Sequence, residues 1–405
     1  MRIAQVAPLV ESVPPRLYGG TERVIAGLVS ELTALGHEVT LYASGDSRTS
    51  ARLIPMVEAA LWQSSTNADA VGFHVAELAR VTREAADYDI VHSHLEVLGF
   101  PFGRHSPTPF IHTMHGRLDL PELQVAFREL ADAPLVSISD NQRGPLANAN
   151  WVRTVYNGIA MERVPFGNGD GGYLAFLGRI SPEKGLLEAI EVANRTGLPL
   201  KIAARMPLTA IDNSWVRADW DYYNEQIKPR LCNPRIEFLG ELDDHDKYQM
   251  LSEAAALVFP INWPEPFGLA MIEALACGTP VIARAMASTP EIVSPGRTGF
   301  LCTNVDEMVS ACSHIDEIDR QACRREVRQR FSARSMALGY LDAYRLVCEA
   351  PGVIDQASAV VTEHIRVQDG PAGAPGLLQR PSGGVTASPD AASHYVDARA
   401  VPTQR

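Results

Sequence analysis

Two carboxylates, Glu265 and Glu273, stand eight positions apart in the stretch Trp263 to Ala283, WPEPFGLAMIEALACGTPVIA. Between them Phe267-Gly268-Leu269 makes a turn that opens a short helix of small residues, closed by Gly278 and Pro280. The first turn of a helix leaves its N–H groups without intrahelical partners, and with the helix dipole they form an anion site. Carboxylates on either side of that start cannot bind the anion itself. They must accept from donors attached to it, and sugar and ribose hydroxyls are the natural donors. The pattern predicts a nucleotide-sugar cradle, with Glu265 on the sugar, Glu273 on the ribose and the N–H groups of Phe267, Gly268 and Leu269 on the diphosphate. Complementing the helix dipole serves equally well for Glu273 taken alone, but poorly for the pair in one loop.

A second charged stretch, Gly178 to Gly185 (GRISPEKG), follows an apolar run. Its Ser, Pro and Glu read as an ordinary helix start, which accounts for everything except Arg179 and Lys184, since cations are disfavoured at that end of the dipole. Placed there, they predict charge neutralisation of a diphosphate leaving group. Earlier in the chain, Leu17-Tyr18-Gly19-Gly20-Thr21-Glu22 joins the first apolar run to the first helix. Gly19 and Gly20 let the backbone approach a phosphate or sugar without Cβ interference; a tight turn with Thr21 as helix cap is the plainer alternative.

His92, His94, His112 and His115 end two apolar runs in pairs. No carboxylate or cysteine stands beside them at ligand spacing, so a metal centre is not expected. His115 is set apart by Gly116, where a kink would present the ring to a substrate. The D-x-D runs Asp87-Tyr88-Asp89, Asp219-Trp220-Asp221 and Asp244-His245-Asp246 are expected to be solvated charge in an acidic protein. No G-x-S-x-G, Walker A lysine or H-E-x-x-H occurs, which removes the common hydrolase, NTPase and metalloprotease readings.

These motifs need elements to hold them. In the first half IAQVAPL, EVTLYAS, DIVHSH, PFIHTMH and PLVSIS alternate with helical patterns, the first of them from about Thr21 to Leu35. A second series follows with YLAFLGR, PLKIAA, RIEFLG, ALVFPI, PVIAR and GFLCT. Alternation of this kind predicts two consecutive α/β domains with parallel sheets. The Gly- and Asn-rich stretch VYNGIAMERVPFGNGDGG joins them, giving residues 1–160 and 161–332. Met336, Tyr340, Tyr344 and Val347 then fall at helical steps within 333–350, and residues 351–405, rich in Pro, Gly, Ser and Ala, are expected to be disordered.

Composition sets the outer bounds. A formal net charge of -12 argues against a nucleic-acid partner. Six scattered cysteines without a C-x-x-C fit a reduced compartment, and the short apolar run after Met1 does not make a signal peptide. The expected location is the cytoplasm, with membrane contact at most peripheral.

With E-x7-E in EPFGLAMIEALACGTPV, GRISPEKG, and the order in which GGTE, HG, NG and these two occur, residues 1 to 350 resemble the family 4 retaining glycosyltransferases. The resemblance implies the GT-B fold: two Rossmann-like domains facing a central cleft, with a C-terminal helix, here around Ser335 to Cys348, crossing back to the first. It implies that Arg179 and Lys184 bind the donor diphosphate, that Gly20 approaches the phosphate, that His115 sits by the transferred sugar, and that the base lies near Leu242. It also implies hexosyl transfer from a nucleotide diphosphate sugar, UDP-glucose favoured over GDP-mannose, to an unidentified acceptor, without cofactor or metal. A nucleotide-sugar epimerase of the same fold and a non-catalytic nucleotide-sugar-binding regulator are the alternatives. Two positions depart from the family pattern: Ala287 and Ser288 stand where a Gly-Gly is common, and Arg205-Met206 where a Gly-rich loop is frequent.

Overall fold

The structure, a computed structural model, describes residues 1–63, 70–207 and 214–349. The stretch 351–405 expected to be disordered lies outside the described residues. The first sheet consists of β1 (Arg2–Val6), β2 (Glu38–Ser44), β3 (Arg52–Val57), β4 (Ile90–Ser93), β5 (Phe110–Thr113), β6 (Leu135–Ser137) and β7 (Trp151–Thr154). Its order is β3-β2-β1-β4-β5-β6-β7, with every pair parallel. The second consists of β8 (Leu174–Arg179), β9 (Leu200–Arg205), β10 (Ile236–Gly240), β11 (Ala256–Phe259), β12 (Val281–Arg284) and β13 (Gly299–Cys302), in the parallel order β10-β9-β8-β11-β12-β13.

Two α/β domains with parallel sheets are thus present, and their strand order explains where chemistry can occur. The order turns back at β1, between β2 and β4, and at β8, between β9 and β11. Loops leaving a parallel sheet at such a reversal diverge and leave a crevice at the carboxyl ends of the strands. The loop after β1 carries Gly19-Gly20 and the loop after β8 carries Lys184. Both motifs therefore sit at the reversal of their own sheet.

Two strands, β3 and β7, were not expected. Both are outer strands of the first sheet. An outer strand has one unpaired side, tolerates proline and needs no continuous apolar run. Pro55 interrupts β3, and WVRT of β7 is half-buried rather than buried.

The helix Ala333–Glu349 follows the second domain in sequence but packs in the first. Met336, Tyr340, Tyr344 and Val347 are buried there with Ile3, Val24, Ile25 and Leu28. The return is fixed at the interdomain linker, where Ile159 N donates to Phe331 O at 3.0 Å and Ala333 N to Ile159 O at 2.9 Å. Gly158 makes that approach possible, because a Cβ on it would lie 2.3 Å from Ser332 O. Among the described residues no helix is long and apolar enough to cross a membrane.

Gly158→Ala must therefore push the linker off the returning chain, and should cost about 1–3 kcal/mol. Urea melts with an unchanged slope and a lower midpoint would report it; an unchanged midpoint would show that the crossing is loose.

Candidate active site in the interdomain cleft

Between the carboxyl ends of the two sheets lies a cavity of about 490 Å³. Every site residue expected from the sequence lines it: Gly19, Gly20, His115, Arg179, Lys184, Leu242, Glu265, Phe267, Gly268, Leu269 and Glu273. The helix Leu269–Ala276 starts there, with Gly268 at its cap in the left-handed region at φ 88°. Across the cleft the helix Gly20–Ala34 starts opposite, and a Cβ on Gly20 would lie 3.2 Å from Leu269 Cδ1. Two helix starts from different domains thus converge on one space, each with unpaired N–H groups.

The charged residues are not bare. Lys184 Nζ lies 2.5 Å from Glu265 Oε2, which also accepts from Trp263 Nε1 at 2.8 Å. The ammonium sits 4.5 Å from the centre of the Trp263 ring. Arg179 pairs with Glu183, while its Nε is buried in the cleft wall without a partner. Each cation is paired with a carboxylate, so an anion entering here would join an ion pair. An unpartnered buried N–H is costly, and Arg179 Nε is one donor that an anion would satisfy.

Glu273 sits in a network the sequence did not suggest. Lys247 Nζ donates to Glu273 Oε1 at 2.6 Å and to Asp244 Oδ1 at 2.9 Å. Asp244 in turn takes Arg23 Nη1 from the first domain at 2.5 and 2.6 Å, and Arg23 Nε stands 3.9 Å from Glu273 Oε1. Burial raises the Asp244 carboxyl, but Lys247 and Arg23 outweigh it and hold the group below its ordinary range. Two of the D-x-D runs are therefore not merely solvated charge: Asp244 is an interdomain link, and Asp89 accepts from Arg2 N and Arg2 Nη2 at 2.8 Å each.

On the first-domain side, Glu96 Oε1 accepts from His115 N at 2.9 Å and Gly116 N at 3.0 Å, which holds the kink expected at His115-Gly116. Burial raises the Glu96 carboxyl to about 7, against the lowering effect of those two N–H groups. Burial pushes His115 down to about 4, so its ring is neutral. Glu22, in the first turn behind Gly20, also lines the cavity, and burial raises its carboxyl to about 7. Asn157 of the linker lines it as well, with Oδ1 buried and unpartnered.

The departures at Ala287 and Ser288 also resolve into geometry. Ala287 takes the left-handed conformation, φ 53°, that glycine would adopt more cheaply. The hydroxyl of Ser288 lies 2.9 Å from both Glu265 O and Phe267 O. The serine ties down the loop that presents Glu265. Arg205, the other departure, lays its guanidinium 4.5 Å from the Trp62 ring centre and 5.4 Å from that of Tyr18, both in the first domain. Arg23, Lys247, Glu96 and Trp62 escaped the sequence reading, as did the interdomain contacts of Asp244 and Arg205, because the groups they meet are remote in the chain. Only the Asn157-Gly158 dipeptide carried a local signal.

Two parallel α/β domains facing a cleft, with the last helix returned to the first domain, are the GT-B architecture of glycosyltransferases. The family model described as Glycosyltransferase Family 4 matches residues 18–163, and that described as Glycosyl transferases group 1 matches 161–334. Together the two models cover residues 18–334, and the chain belongs to the glycosyltransferases they describe. It is similar to D-inositol 3-phosphate glycosyltransferase of Frankia alni, 25% identical over 392 residues that cover 83% of this chain and 93% of that one. It is similar to glycogen synthase of Mycobacterium tuberculosis, 28% identical over 190 residues, 45% of this chain and 44% of that one. Among solved structures, sucrose-phosphate synthase from Thermosynechococcus elongatus superposes with a TM-score of 0.69 at 19% identity, over 85% of this chain and 98% of that one. HepE from Anabaena, in complex with UDP and glucose, does so with a TM-score of 0.64 at 19% identity, over 85% and 99%.

Two stability measurements follow. Ala287→Gly should stabilise the protein by about 1 kcal/mol, the balance of the left-handed cost and the added freedom of the unfolded chain; a lower melting temperature would contradict the strain. The folded protein holds the Glu22 proton more tightly than the unfolded chain, so that contribution is intact below the unfolded value of 4.5 and lost as pH rises to about 7. Glu22→Gln should gain on the wild type between about pH 5 and pH 7, by at most about 1.4 kcal/mol per pH unit. Parallel stability curves would show an ordinary carboxylate.

Proposed function

We propose that the protein transfers a hexose from a nucleoside diphosphate hexose to an acceptor hydroxyl, with retention at the anomeric carbon. UDP-glucose is the favoured donor and GDP-mannose the second. The observation that carries this is the convergence of Arg179, Lys184, Glu265 and the Leu269 helix start on one cavity that Gly20 and His115 close from the other domain. The solved structure of HepE with UDP and glucose, a protein of the same fold, supports a nucleotide sugar as the ligand class.

In this reading the diphosphate lies against the N–H groups of Phe267, Gly268 and Leu269, with Arg179 and Lys184 meeting its oxygens. Glu265, held by Lys184 and Trp263, uses its other oxygen for a sugar hydroxyl. Glu273, held by Lys247, takes a ribose hydroxyl, and the base packs near Leu242. The bond from the anomeric carbon to the diphosphate oxygen breaks as the acceptor oxygen attacks the same face. The departing diphosphate oxygen takes the acceptor proton. No protein nucleophile is required, and charge growing on the leaving group is met by donors already in place.

Incubation with UDP-glucose or GDP-mannose and a mixed acceptor pool tests this: nucleoside diphosphate should be released only with acceptor, and the product should keep the donor's anomeric configuration. A changed sugar without acceptor would mean an epimerase; binding without turnover, a regulator. Arg179→Ala and Lys184→Ala should each lower kcat by roughly 10²- to 10³-fold, the scale of a lost preorganised donor. Lys184→Ala leaves Glu265 held only by Trp263, so each variant's melting temperature is matched to wild type first. A kcat within about threefold of wild type in both would remove these residues from the mechanism. Because cationic side chains and N–H groups face the diphosphate, activity should survive EDTA; loss restored by manganese would contradict that assignment.

A further inference from the structure

His115 is the outer end of a buried chain of hydrogen bonds that the transfer reading does not use. Its Nε2 lies 2.9 Å from His94 Nδ1, and His94 Nε2 lies 2.9 Å from Gln5 Oε1. Gln5 Nε2 donates to the Tyr344 hydroxyl at 2.9 Å, and that hydroxyl lies 2.9 Å from His92 Nδ1. His92 Nε2 continues to Thr113 Oγ1 at 2.6 Å, and Thr113 to the Tyr340 hydroxyl at 3.0 Å. Gln5 stands on β1, His92 on β4, Thr113 on β5, and both tyrosines on the returning helix. All these groups behind His115 are buried.

The bonding pattern has a direction. An amide donates only from nitrogen and accepts only at oxygen. With Gln5 Nε2 given to Tyr344, the hydrogen between Gln5 and His94 belongs to His94 Nε2. Burial lowers His92 and His94 well below the ordinary histidine range, as it lowers His115, so each ring carries a single N–H. His94 Nδ1 is then an acceptor, and the hydrogen it accepts is on His115 Nε2. That leaves His115 Nδ1 without a hydrogen, in a side chain that lines the cavity.

We propose that Gln5 and Tyr344, acting through His94, are positioning residues that fix His115 as its Nε2–H tautomer and present Nδ1 to the cleft as an acceptor for a hydroxyl of the transferred hexose. The role of the hexose rests on the proposed transfer; the tautomer does not. A buried polar chain that only seals the seam between helix and sheet would have no reason to end on a cleft residue. This one ends on His115, whose backbone N–H is pinned separately by Glu96. Ring position and ring hydrogen are thus set by different parts of the fold.

The test combines nitrogen NMR of the full chain labelled in histidine with kinetics on whichever of UDP-glucose and GDP-mannose is turned over. His115, assigned by its absence in His115→Asn, should show an unprotonated Nδ1 in wild type. Tyr344→Phe and Gln5→Met should give mixed tautomers at His115 and lower kcat roughly 5- to 10-fold, the scale of one lost hydrogen bond, with donor KM within about twofold. Val347→Ala trims the same helix without touching the chain, and should lower the melting temperature while tautomer and kcat stay unmoved. If Tyr344→Phe does not fold, Gln5→Met carries the comparison. A protonated Nδ1 in wild type, an unchanged tautomer in Gln5→Met, or a kcat loss in Val347→Ala matching that of Tyr344→Phe would overturn the proposal. Absence of turnover with either donor would count against the transfer reading, while the nitrogen spectra still decide the tautomer.

Discussion

Two carboxylates with little exposure in the wall of a cleft are the constraint around which the second domain is arranged. A buried carboxylate without a partner is strongly destabilising. Each here has its own lysine: Lys184 for Glu265 and Lys247 for Glu273. Lys184 comes from the loop at the sheet reversal after β8, and Lys247 from the helix Asp244–Glu253 that follows β10. The parallel order of the sheet brings both loops to the same edge as the Glu265 loop. The ion pairs thus tie the local charge pattern to the topology, and hold the glutamates in one orientation with one oxygen of each engaged by its lysine.

The two domains meet through a small number of directed contacts on opposite sides of the cavity. On one side Arg23 reaches Asp244, and Arg205 lies against Trp62 and Tyr18. On the other the Glu291 carboxylate accepts from Asp140 N and Asn141 N at 2.8 Å each, and Ser139 donates to Pro266 O at 2.6 Å. These are polar and cation–ring contacts made from loops and from the ends of helices and strands. The apolar clusters largely follow the two domains, the first completed by the returning helix, but Ile138 of the first domain packs in the second-domain cluster and Leu269 of the second lies against the first. Polar interfaces of this kind permit relative motion between domains, while the helix that belongs to one domain by sequence and to the other by packing limits how far they can part.

That helix also bears on the site. Tyr340 and Tyr344 fill the core of the first domain with their rings and use their hydroxyls on Thr113, Gln5 and His92. A buried tyrosine hydroxyl must find a partner, and here the partners lead outward to the cleft. Packing and polar satisfaction on the same two residues connect the end of the described chain with the end of β1.

What the sequence by itself determined was whatever is carried by neighbours in the chain. Apolar runs of β1, β2, β4 to β6 and β8 to β13 are legible because strands buried on both faces must be apolar throughout. Glu265, the Gly268 turn, Arg179 and Lys184 are legible because cations beside a helix start, and two carboxylates in one loop around a glycine turn, go beyond what the helix dipole alone calls for. The partners of those residues were decided only by the tertiary structure. Lys247 is paired with Glu273, 26 positions away, and Gln5 with Tyr344, 339 away, and nothing local distinguishes either from an ordinary polar residue. The edge strands β3 and β7 were missed for a related reason, since half-exposed outer strands need no apolar pattern. Ala287 and Ser288 show the limit from the other side: the departure from glycine was visible in the sequence. The left-handed strain and the serine hydroxyl that ties the Glu265 loop exist only once β11 and β12 stand side by side and bring the loops that follow them together.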